Sequence, residues 1–153
     1  AFIAVYFIGL FEATLQQKIA LAILMPVVAS MGGIAGTQTL IIVTRGIATG
    51  RVTTANIKAL INKEVAVSGL NGIIWSIVIG LITYYWFSDM LLSLIIALAI
   101  ITNLVVAAFS GAFLPLLLSK LRIDPALAGG VILTTITDVI GFVAFLGLAS
   151  LFI

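Results

Sequence analysis

Few residues in this chain have the chemistry to bind or transform anything, and one of them stands where it is least expected. Asp138 lies inside the apolar run Pro125–Ile153, fourteenth of its 29 residues. At about 1.5 Å of helical rise per residue, that is near the middle of a membrane span. A carboxylate there costs several kcal/mol unless it is paired, hydrated or protonated. No Lys or Arg falls at similar depth in any apolar run. Asp138 therefore takes a proton, water or a bound cation, or it stays neutral and hydrogen-bonds across helices. Thr134 and Thr135 precede it by four and three residues, which puts two hydroxyls on its general side of a helix.

A second constellation is Ser30–Thr39, SMGGIAGTQT. Gly32 and Gly36 form a GxxxG pair, whose plain meaning is close helix packing. With Pro26 before it, Gly33 within it and Thr37, Gln38 and Thr39 after it, the segment also reads as kinkable backbone with free carbonyls and a polar stripe at mid-depth. Such backbone is tolerated where it is buried or lines a wet cavity. Both readings stay open. Asn71 and Asn103 read as interhelical hydrogen-bonding residues, and Asp124 followed by Pro125 as the start of the last helix. Glu64 beside Lys63 reads as a surface pair, and Glu12 as an acid near an interface or vestibule.

The chain has no Cys and no His. Zinc, haem and iron–sulfur ligation, nucleophilic Cys chemistry and Ser-His-Asp catalysis thus lack their parts, and no Walker-type loop is present. Oxygen ligands are what remains. One Asp is too little for a divalent cation, but a twofold homodimer with the last helix near its axis supplies two. A small hard ion that keeps much of its water suits that arrangement, since Mg²⁺ binds through one or two carboxylates while retaining several waters. Ca²⁺ or Mn²⁺ would satisfy much of the same chemistry.

The elements that position these residues are helices in a bilayer. Of 153 residues, 63% are hydrophobic and 8% charged, against roughly a quarter charged in soluble domains. The fold class is all-α integral membrane protein. Spans of about 20 apolar residues are predicted at Ile19–Ala48, Val65–Phe87, Met90–Leu118 and Pro125–Ile153. Ala1–Ala13 is too short to cross and reads as the second half of a truncated helix, giving five transmembrane helices with the first cut. Residues 49–64 carry Ile57, Leu60 and Ile61 at helical spacing after Thr53 and Thr54, which predicts a short separate interfacial helix. Only Ser88 and Asp89 join the third and fourth helices, which demands a tight antiparallel hairpin. Arg45, Arg51, Lys58, Lys63, Lys120 and Arg122 fall on one side and Lys18 alone on the other. By the positive-inside rule the first side is cytoplasmic, the C-terminus external and the start of the chain cytoplasmic. The net charge of +2 reports orientation rather than a nucleic-acid partner.

At these residues the chain resembles the transmembrane domain of the MgtE family of magnesium channels and transporters. The likeness rests on FEATL at Phe11–Leu15, MPVVASMGGIAGTQTLIIVTRGIATG at Met25–Gly50, NKEV at Asn62–Val65, TNLVVAAFSGAFLPLLL at Thr102–Leu118 and DPALAGGVILTTITDVIGF at Asp124–Phe142. It implies one pore domain over residues 1–153, homodimeric in the plasma or inner membrane, with the pore between the second and fifth helices of both subunits. It also implies hydrated Mg²⁺ as the transported ion and Asp138 as the acidic pore residue. Gly32, Gly33 and Gly36 would give close approach and carbonyl contact, and Thr37, Gln38, Thr134 and Thr135 would line the pore. Members usually carry a cytoplasmic helical domain and a CBS pair before the first helix; neither is expected in this chain. The pattern departs at Ile34, where members commonly have Asn, and at Gly130, where some do. The expectation is ion transport and not an enzyme. The rivals are a proton- or sodium-coupled carrier with a titrating Asp138, and a non-transporting membrane assembly module.

Overall fold

A computed structural model describes residues 1–153. It is all helical: α1 (Phe2–Gly9), α2 (Glu12–Gln17), α3 (Ile19–Ala48), α4 (Ile57–Phe87), α5 (Met90–Lys120) and α6 (Pro125–Phe152). The last four are long and apolar enough to cross a membrane. At about 1.5 Å per residue, helices of 28 to 31 residues reach about 42 to 47 Å, so they tilt or overhang a core of roughly 30 Å. The first apolar stretch is two short helices with a break at Leu10 and Phe11.

The separate interfacial helix is corrected. Ile57 opens α4 directly, and the helix runs unbroken through Lys63 and Glu64 to Phe87. Nothing between Asn62 and Val65 breaks it, because no Gly or Pro interrupts the run and each backbone group finds its helical partner. The hairpin is as predicted. Ser88 closes α4 in the left-handed region (φ 52°), its N–H bonded to the Tyr84 carbonyl. Asp89 then caps α5, accepting from Leu92 N–H at 3.0 Å. Lys18 pairs with the same carboxylate, so the α2–α3 junction is tied to the α4–α5 turn. The Lys18 hydrogen bond and, after it, the Leu92 N–H hold the Asp89 carboxyl below its ordinary value. Asp124 caps α6 as expected, accepting from Ala126 N–H at 2.9 Å.

α5 is the central helix and packs against α3, α4 and α6. The fully buried side chains of α4 at this contact are all small, namely Ser68, Gly72, Ser76, Gly80 and Thr83, with Ile79 and Phe87 packed partly buried beside them. This near-fourfold spacing brings backbones close, as small-xxx-small seams do in membranes. Ser93 of α5 donates across it to the Gly80 carbonyl at 2.6 Å. Between α3, α5 and α6 the core has two apolar ends. Leu21, Leu24, Val28, Ile96, Ile100, Phe145 and Leu146 fill the end near Lys18, and Leu40, Leu114, Leu118 and Leu133 fill the other.

Candidate functional site

Between those ends lies a layer of small residues around one amide. Asn103 of α5 is fully buried, and its Nδ2 donates to the Val28 carbonyl of α3 at 2.8 Å, the interhelical role expected of it. A methyl group added at Gly32 would stand 2.2 Å from that Nδ2, and one at Gly141 of α6 would stand 2.7 Å from it. Both glycines make room for the amide. One turn further on, the Gly36 carbonyl would lie 2.6 Å from a methyl at Gly111, and Gly36 itself packs against Leu133. Gly32 and Gly36 are thus used for packing. α3 is helical through Pro26 and all three glycines, so the segment is not unwound, although Pro26 has no N–H to offer the Ala22 carbonyl.

The α3–α6 contact fixes the depth of Asp138. Val28 meets Gly141, Gly36 meets Leu133 and Leu40 meets Gly129, an antiparallel register that puts Asp138 level with Met31 and Gly32. Thr134 is then level with Ala35. Asp138 is half-buried and makes no hydrogen bond or ion pair. No three acidic side chains gather anywhere in the chain. Thr134, exposed and one turn from Asp138, donates its hydroxyl to the Gly130 carbonyl at 2.9 Å. Thr135 donates to the Val131 carbonyl at 2.9 Å. With their protons committed, both oxygens turn only lone pairs outward. A hydrated cation presents O–H donors, so such oxygens suit it.

On α3, Gly33 and Thr37 share a side with Leu40 by the i, i+4, i+7 period, and Leu40 is the residue packed on α6 at Gly129. A methyl at Gly33 or at Gly130 would meet nothing within 4 Å, and Thr37 is exposed. Gly33 and Thr37 therefore border the α3–α6 seam and are free of packing duty. Gln38 is placed elsewhere. With Ile34, it lines a groove of about 640 Å³ between α3 and α4, opposite Glu64, Ser68 and Asn71.

That groove was not foreseen. Glu64 does not pair with Lys63; its Oε2 accepts from Thr39 Oγ1 across the groove at 3.5 Å. A readable signal existed, since Glu64, Ser68 and Asn71 recur at i, i+4 and i+7 on one face of α4. Reading Lys63 and Glu64 as neighbours hid it. Asn71 makes no interhelical bond; it is exposed on this groove.

Residues 25–148 match the profile of the family described as "MgtE: Divalent cation transporter". The chain is similar to the magnesium transporter MgtE of Bacillus subtilis, 35% identical over 95% of this chain and 32% of that protein. It is also similar to the proteins of the same name from Thermus thermophilus, 32% identical over 92% of this chain and 31% of that one, and from Enterococcus faecalis, 28% identical over 93% and 31%. The chain spans about a third of the length of these relatives.

Proposed function

The chain belongs to the MgtE family of divalent cation transporters, and from that premise we propose that it conducts Mg²⁺ across a membrane through a pore shared by two copies, with Asp138 as the ion-binding carboxylate. One observation carries the reading. Asp138 is an unpartnered acid at mid-depth of an apolar helix, with the hydroxyls of Thr134 and Thr135 one turn away, level with Gly32 of α3. In a lone chain, Ser30, Thr37 and Thr134 are exposed at the depth of the hydrocarbon, an unfavourable surface for lipid. A twofold partner covers that flank and adds a second carboxylate.

Mg²⁺ is the substrate. It sheds its bulk shell reluctantly and binds through one or two carboxylates. The paired Asp138 side chains offset its charge, the Thr134 and Thr135 oxygens accept from its waters, and Gly33 and Gly130 leave the room a hydrated ion needs. The six basic residues at the α3–α4 and α5–α6 connections face the cytoplasm in this reading. An inside-negative potential then favours entry by about 2.3 kcal/mol per elementary charge per 100 mV.

The test is Mg²⁺ influx into proteoliposomes at fixed voltage, for the chain and for Asp138→Asn, with Ca²⁺, Mn²⁺ and Co²⁺ as competitors. Flux in the parent and none in a folded, dimeric variant is expected. Equal flux in both refutes the site, and countermovement of protons or sodium stoichiometric with Mg²⁺ establishes the coupled carrier in place of the channel.

A further inference from the structure

The α3–α4 connection encloses a cavity of about 780 Å³ that ion conduction at Asp138 does not use. Arg45, Arg51 and Lys63 all line it, and no acidic side chain does. None of the three is ion-paired, and all three are exposed. Its apolar lining is made by Ile42, Val52, Ala59 and Leu60.

The walls are fixed by the backbone. The Gly46 carbonyl accepts from both Arg51 N–H (2.9 Å) and Val52 N–H (3.0 Å), and Gly50 supplies the left-handed turn (φ 70°). Asn56 then clamps the loop, donating from Nδ2 to the Arg51 carbonyl at 2.7 Å and accepting from Thr53 N–H at 2.8 Å. A methyl at Gly46 would stand 2.4 Å from the Val52 side chain, so the loop folds back on α3 at van der Waals range. The connection's polar backbone is thus engaged with itself, and what it offers a ligand is three side-chain cations around a pocket already formed.

The pocket lies where α3 ends and α4 begins, at the limit of both spans. It also shares Ile42 and Lys63 with the groove that runs deeper between α3 and α4, where Ile34, Val67 and Trp75 give an apolar strip beside the polar Gln38, Glu64 and Asn71. A cationic mouth leading into a partly apolar cleft, at the edge of a bilayer, fits an amphipathic anion. We infer that this pocket binds the phosphate headgroup of an anionic phospholipid, with an acyl chain lying along the α3–α4 groove. Basic pockets between helices on the cytoplasmic side bind such headgroups, and each Lys or Arg near an anionic surface is worth about fivefold in affinity. The three cations together favour an anionic lipid over a zwitterionic one, since phosphatidylcholine brings its own positive charge into the same pocket. A free phosphate has the headgroup's chemistry without the chain that uses the groove.

The experiment is native mass spectrometry of the chain released from micelles doped with equal phosphatidylglycerol and phosphatidylcholine. Preferential retention of phosphatidylglycerol is expected, falling about fivefold for each of Arg45→Gln, Arg51→Gln and Lys63→Gln. Lys120→Gln, which removes a charge from the same side but outside the pocket, leaves retention unchanged. Unfolding midpoints of all four variants should match the parent. Equal retention of the two lipids overturns the assignment, as does a loss in Lys120→Gln as large as in Arg45→Gln. Displacement by millimolar inorganic phosphate also overturns it, and assigns the pocket to a soluble phosphate.

Discussion

Gly32 and Gly33 are adjacent in sequence, and the structure predicts opposite consequences for the same substitution. In Gly32→Ala the new methyl falls 2.2 Å from Asn103 Nδ2 and 2.7 Å from its Cγ. The amide cannot retreat freely, because Gly141 already holds it on the α6 side at close range. It must turn, and its bond to the Val28 carbonyl is lost. Overpacking of a filled core costs about 1–3 kcal/mol, and an interhelical hydrogen bond in a membrane protein is worth about 0.6 kcal/mol on average and about 1.7 at most. Together, less the gain of about 0.8–1.0 kcal/mol that alanine brings to any helix interior, the expected loss is about 1–4 kcal/mol. In Gly33→Ala the methyl meets nothing within 4 Å, and alanine's better helix propensity adds about 0.8–1.0 kcal/mol of stability. The assay is an SDS titration in mixed micelles followed by the fluorescence of Trp75 and Trp86. The third measurement is Gly32→Ala combined with Asn103→Ala: the second truncation opens the space the first needs, so the double variant should be more stable than the sum of the singles by at least about 1 kcal/mol. Similar losses at Gly32 and Gly33, or strict additivity with Asn103→Ala, would refute the account of the small-residue layer.

Four further outcomes follow from other parts of the chain. Asp89 is held below the ordinary carboxylate value of 3.8, so its contribution to stability is complete above that pH and is lost as pH falls through the lowered value; Asp89→Asn should flatten the acid limb of a stability–pH curve measured below pH 5. Because the Lys18–Asp89 pair is partly exposed, Lys18→Ala should cost no more than about 1 kcal/mol, read by the same SDS titration. The chain has no native cysteine, so single cysteines report cleanly: Thr54→Cys, exposed in the α3–α4 connection, should react with a membrane-impermeant thiol reagent from the Arg45 side, whereas Ala107→Cys, fully buried, should not. Asp124→Ala removes the cap on Ala126 N–H and should lower stability by about 1 kcal/mol without changing the helical content measured by circular dichroism.

Much of this was legible in the residues. The span limits, apart from the start of α4, follow from apolar length, and the hairpin at Ser88–Asp89 from having no room for any other turn. GxxxG spacing offered packing as one of two readings of Gly32 and Gly36, and the Asp124 cap followed from the residue types themselves. What hid was set by neighbours in space. Asn103 chooses Val28 as its acceptor because Gly32 and Gly141 leave a slot there, and no single-helix pattern names all three. The same holds for Glu64, whose partner Thr39 is 25 residues away and on another helix. Pro26 and the glycines make α3 kinkable by local propensity, yet packed against α5 and α6 it is helical from end to end. The Ser68, Gly72, Ser76, Gly80 seam was present as a four-residue period and needed only to be read with that period in mind.

That seam has a bearing on how the sequence can drift. α4 commits five small side chains to α5 and turns its large ones, among them Leu70, Ile74, Ile77, Leu81 and Trp86, away from the protein. The inward positions have a ceiling on volume, whereas the outward ones answer only to the solvent around them. A library randomised over the outward positions among apolar residues should therefore return nearly every combination as folded protein, while one randomised at Gly72 and Gly80 should return glycine, alanine and serine almost alone. α4 is the helix on which this protein can be refitted to a thicker, thinner or differently charged bilayer with the other three spans left as they are.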